Sequence, residues 1–166
     1  MAQILHFDDG IKEYQINNNG ALRLNPSDPN LYQRFFDAQD KLLAIEEDLV
    51  QQGKQLQPLP ENATQEQRMA SGEANIRLMA EADHKAKEVL AWVFPGNDFD
   101  VLLGGANTMA VGTNGERVIT NFLNMLVPIV EEGVRTYTDT KVNQVVAQAG
   151  ANRAQRRAKK HRKGHR

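Results

Sequence analysis

Cysteine is absent from the 166 residues, which excludes disulfide frameworks, thiolate zinc sites and cysteine nucleophiles. Aromatic residues are few, at 6% against 40% for the apolar set as a whole. A core must therefore come from Leu, Ile, Val and Ala, which suits packed helices better than a β-sandwich. No run of about eighteen apolar residues occurs, and the opening MAQILHFDDG has neither a basic n-region nor a sustained apolar stretch. These absences predict no membrane segment and a cytoplasmic location. Histidine is scarce as well: His6, His84, His161 and His165 lie in no triad or metal motif. His84 and Glu88 are one helical turn apart beside Asp83, a grouping that on a polar helix face reads as solvated surface rather than a metal site.

The glycines of LLGGANTMAVGTNGER have the look of a phosphate-cradling loop, because N–H groups at a helix N-terminus attract anions. A P-loop would need Lys-Ser/Thr next, and a dinucleotide fold would need a buried strand before it; neither is present. The stretch reads as a loop and helix cap, with ANTMAVGTNG too polar and glycine-rich for a core. Asp98 and Asp100 suit a helix N-terminus, and Glu131/Glu132 read as solvated. No cofactor or catalytic group is expected, and the composition points to binding or assembly instead of a reaction.

Charge is divided unevenly. The net value is −1, yet residues 153–166 hold eight of the twenty Lys and Arg and no acid. Residues 1–152 carry twelve cations against twenty-one acids, a net of −9. The basic residues Arg153, Arg156, Arg157, Lys159, Lys160, Arg162 and Lys163 are candidates for partner engagement through charge. Nucleic acid is one conceivable target, but no aromatic is interleaved to stack bases and no groove-reading fold is evident.

A single domain over 1–150 with a tail at 151–166 is expected at this length. Residues 1–25 alternate with period two, Leu5/Phe7, Tyr14/Ile16 and Leu22/Leu24, around turns at Asp8-Asp9-Gly10 and Asn17–Gly20. They predict an antiparallel hairpin or three-strand meander, whose open edges are a candidate for self-association. Residues 28–150 predict a bundle of three long helices and one short one, so the class is mainly α, α+β in detail. Asp28 caps the first helix and Pro29 opens it, with Leu31, Phe35, Ala38, Leu42, Ile45 and Leu49 as its seam and Tyr32, Phe36 and Leu43 alongside. Gln51–Gln67 reads as a polar connection. The second helix, about Gln65 to Phe94, points Met69, Ile76, Met79, Ala86, Leu90 and Val93 inward and stops at Pro95-Gly96.

The stretch from Trp92 to Tyr137 organises the remainder. Asn97 is the expected cap of a short helix whose Phe99, Leu102 and Leu103 pack under Trp92 and Phe94, or face a partner if exposed. The last helix begins near Asn114 or Gly115 and extends to about Ala149, with a kink or restart at Pro128. After Gly150 the basic tail has no apolar face to bury and is expected to be disordered when free.

Three stretches, FDDGIKEYQIN, LRLNPSDPNLYQRF and WVFPGNDFDVLLGGANTMAVGTNGERVITNFLNMLVPIVEEG, resemble a small family of prophage proteins from Gram-positive bacteria. Those proteins are similar to the tail assembly chaperones of long-tailed phages. The resemblance covers most of residues 7–137 and rests on structural motifs without a catalytic signature. It implies a mainly helical, non-enzymatic protein of the bacterial host cytoplasm. Such a protein binds the tape measure protein, helps recruit the major tail protein into the tube, and then leaves. Self-association into a homo-oligomer is a further expected contact, and a structural tail or neck component of the virion and a nucleic-acid binder acting through the basic tail are the alternative readings.

Overall fold

The computed structural model describes residues 2–56 and 58–163. Its elements are strands β1 (Lys12–Ile16) and β2 (Gly20–Leu24), followed by helices α1 (Pro29–Gln55), α2 (Gln65–Val93), α3 (Phe99–Leu102) and α4 (Val118–Lys163). The two strands form an antiparallel hairpin with Tyr14 opposite Leu22. Of the two sheet readings the hairpin is the one present, and residues 2–11 add no strand to it. Alternation places Ile16, Leu22 and Leu24 in the core, so the small sheet is held by the helices rather than by itself.

Asp28 caps α1, its carboxylate accepting the Asn30 N–H at 2.9 Å, with Pro29 at the first turn. Leu31, Phe35, Ala38 and Leu42 are buried, with Ile45 and Leu49 half-buried beyond them. The helix continues past Gly53 to Gln55, several residues beyond the expected stop, because a single glycine costs only about 1 kcal/mol of helix propensity. Thr64 and Gln67 form a reciprocal capping box at the start of α2. The two helices pack as an antiparallel pair.

Asp98, not Asn97, caps α3: its carboxylate accepts the N–H groups of Asp100 and Val101. Asn97 is used differently. Its side-chain oxygen accepts the Arg23 N–H at 2.8 Å while its nitrogen donates to the Arg23 carbonyl at 2.9 Å. One amide thus serves the edge of β2 as a neighbouring strand would. Phe99 and Leu102 are buried, and Phe99 stacks edge-on to Phe122, centroids 5.7 Å apart, and at a tilt to Phe94 at 6.1 Å. Trp92 is 43% exposed and faces the groove with Lys41 rather than roofing this cluster.

The loop after α3 departs from expectation. Thr108 and Met109 are buried, although the segment looks too polar for a core. The Thr108 N–H and hydroxyl both donate to Asp83, at 2.7 and 2.8 Å, and its carbonyl accepts the Ile119 N–H at 3.0 Å. With these polar groups paired, the desolvation cost of burying them is offset.

α4 starts at Val118 rather than at Asn114. Ile119, Phe122, Leu126 and Val130 form its buried stripe. The helix passes Pro128 without a restart. Asn124, whose carbonyl loses its bond to the proline, is exposed and open to solvent. The backbone is helical through Gly150 to Lys163. The Ala, Gln, Arg and Lys that dominate this stretch are strong helix formers, and a single glycine does not outweigh them.

Candidate partner-binding surface

Position every seventh residue of α2 and two lines appear: Met69, Ile76, Asp83 and Leu90 on one, Gly72, Met79, Ala86 and Val93 on the other. Together they make a seam of the kind helices use to pack. Its second half is closed. Leu90 is 0% exposed, and Ala86 and Val93 are buried with it against α1, α3 and α4. Its first half is bare: Met69 and Ile76 are 68% and 69% exposed, and a side chain added at Gly72 would meet nothing. The expectation that Met69, Ile76 and Met79 point into the core of this chain is overturned.

The boundary between the halves is a polar lock. Asp83 holds the loop through Thr108, and Lys87 bridges the carboxylates of Asp83 (2.8 Å) and Asp100 (2.6 Å). Burial alone would raise the Asp83 carboxyl, but hydrogen bonds from Lys87 and from the Thr108 N–H and hydroxyl outweigh it and hold the group below the usual carboxylate range. Burial likewise disfavours the charged Lys87, and its hydrogen bonds to Asp100 and Asp83 overcome that and raise the ammonium above the usual lysine range. Asn107 ends the covering loop by donating to the Met79 carbonyl at 3.2 Å. Beyond Met79 no element of the described residues covers the seam.

A second exposed apolar feature lies between α1 and α2, where Ala44, Ile45, Val89 and Trp92 line a shallow groove. Lys41 sits over the Trp92 ring, 5.0 Å from its centroid. A tryptophan at such a rim is the residue type most often found anchoring a partner.

Of the residues proposed from sequence, Phe99 and Leu102 are core, and Leu103 packs partly buried against it. Phe99 and Leu102 are therefore not a surface a partner reaches, and the apolar candidates shift to Met69, Ile76 and Met79. Arg153, Arg156, Arg157, Lys159, Lys160, Arg162 and Lys163 all lie on the last turns of α4; their side chains fall outside the described residues. His84 is exposed and paired to Glu88 at 3.4 Å. Among the described residues no three His, Asp or Glu converge as metal ligands, and no helix is long and apolar enough to cross a membrane.

The bare half-seam was visible as a heptad pattern but not as a surface, because periodicity reveals which residues face a neighbour, not whether the chain supplies one. The Asp83–Thr108 lock left no sequence signal, since its partners are 25 positions apart. No family model, curated protein or solved structure matches this chain.

Proposed function

We propose that this chain is an assembly chaperone that shields an amphipathic helical partner by completing the α2 seam with it. The observation that carries this reading is the single register running through α2, closed from Asp83 to Val93 and open from Met69 to Met79. A helix with its own apolar stripe would occupy the open half as the chain's own elements occupy the other. Methionine suits the task, since its flexible thioether adapts to varied partners. Gly72 allows close approach of a backbone.

The resemblance to tail assembly chaperones supplies a partner of that kind: a tape measure protein, long and helical, whose apolar seam would aggregate before the tail tube covers it. In this reading the chain holds the tape measure protein in the host cytoplasm, helps bring in the major tail protein, and is released. The test is co-expression with a tape measure protein of a long-tailed phage. Wild-type chain should keep that protein in the soluble fraction, and Ile76→Asp should not. Equal recovery with both would refute the role of the seam. Mass spectrometry of purified particles separates this reading from a structural virion component, which would persist at fixed stoichiometry.

A further inference from the structure

The outer face of α1 repeats an exposed apolar residue every seventh position, Phe36, Leu43 and Val50, and Leu43 is 56% exposed. Asp40 and Glu47 alternate with them along the same stripe, so the order is apolar, acid, apolar, acid, apolar over about 21 Å of helix. Glu46 and Asp48 are paired to Arg117 and Lys85, whereas Asp40 and Glu47 have no ion-pair partner among the described residues. This stripe is distinct from the α2 seam.

The other half of the fit is on α4. Among the residues whose burial is described, Gly133 is its last buried one, and from Val134 to Gln148 every position is exposed. This free arm carries Val142, Val145 and Val146 on one side, Val145 being 65% exposed. Arg135 and Lys141 belong to the same stretch, and eight more cations follow from Arg153. Residues 134–166 hold ten cations and one acid, a net of +9, while residues 1–133 hold ten cations and twenty acids, a net of −10.

The arm cannot reach the stripe of its own chain. α4 runs antiparallel to α1, with Arg117 at its start bonded to Glu46 at 2.8 Å and Gly133 lying against Pro26, just before α1 begins. From Gly133 the unbroken helix continues past the N-terminal end of α1 and away from Phe36–Val50. We propose that the arm of one copy packs on the α1 stripe of a second copy, its valines against Leu43 and the apolar surface beside it, its cations against Asp40 and Glu47. The described arm, about 45 Å from Val134 to Lys163, is long enough to cover a 21 Å face. Because the two surfaces are different patches, two copies close the contact as a two-fold pair in which each arm covers the other's stripe. It does not depend on the identity of the chaperone's partner.

Two variants of the full chain test this by sedimentation equilibrium at low salt. Leu43→Lys with Glu47→Lys breaks the stripe and keeps the arm; Val142→Asp with Val145→Asp breaks the arm and keeps the stripe. Wild type should sediment above the monomer mass and shift toward monomer as salt rises, since exposed charge pairs are screened. Each variant alone should be monomeric, and an equal mixture should form a one-to-one heterodimer, because the intact arm of one meets the intact stripe of the other. A monomeric wild type, a variant that keeps the wild-type mass alone, or a mixture that stays monomeric overturns the proposal. A second pair removes any doubt about folding by changing charge alone. Asp40→Lys with Glu47→Lys, and Arg135→Glu with Lys141→Glu, should each weaken association at least tenfold, and all four changes in one chain should restore it. Failure of the combined chain to recover contradicts the pairing.

Discussion

Gly133 lies so close to the carbonyl of Pro26 that a side-chain carbon at Gly133 would overlap it. This contact ties the middle of α4 to the turn between β2 and α1, and it marks where α4 leaves the body.

Gly133→Ala should therefore destabilise the protein although alanine is the better helix former. The propensity gain is about 1 kcal/mol. Overpacking costs about 1–3 kcal/mol, and the upper end applies here because the obstacle is backbone rather than a flexible side chain. Chemical denaturation of the variant should show a lower midpoint; an increase would mean that α4 is not seated on Pro26.

Leu102 fills the space between the hairpin and α4, buried beside Phe99. Leu102→Ala should cost about 2–5 kcal/mol. A loss below about 0.5 kcal/mol, the size of an ordinary surface effect, would show that α3 is not part of the core.

Asp83 should give the stability an acid dependence. Its carboxyl titrates below the ordinary range in the folded chain, so its contribution is complete above about pH 4, where the unfolded group ionises, and is lost as pH falls through the folded value. Asp83→Asn should lose about 1.5–3 kcal/mol at neutral pH, the worth of hydrogen bonds to a charged group. Stability curves of the two proteins should converge as the pH drops below 4. Parallel curves across that range would separate Asp83 from the acid response.

Much of the fold can be read along the chain. Asp28 and Pro29 announce the start of α1, and the alternation of Ile16, Leu22 and Leu24 identifies the buried face of the hairpin, because these signals depend on neighbours in sequence. The seam of α2 is legible in the same way. What is not legible is the extent of its cover, which is set by where the Thr108 loop ends, and that end is fixed by Asp83 and Met79 across the fold. Asn97 misleads for a related reason: its amide suits a helix cap, and the approach of Arg23 from 74 positions away recruits it for the sheet edge.

The exposed residues of the seam should be nearly silent in stability. Ile76→Asp removes no buried contact within the chain, so its effect on unfolding free energy should stay within about 0.5 kcal/mol. A larger loss would show that Ile76 is already packed inside the chain.

The most direct test of the central claim is amide hydrogen exchange of the full chain with and without the proposed partner, a tape measure protein. Binding along the bare seam should slow exchange in α2 from Gln65 to Ala82 and leave the covered half, Asp83 to Val93, at its existing protection. Ile76→Asp should abolish the difference. Unchanged exchange over Gln65–Ala82 in a complex that does form would contradict the claim, since the partner would then be held by another surface.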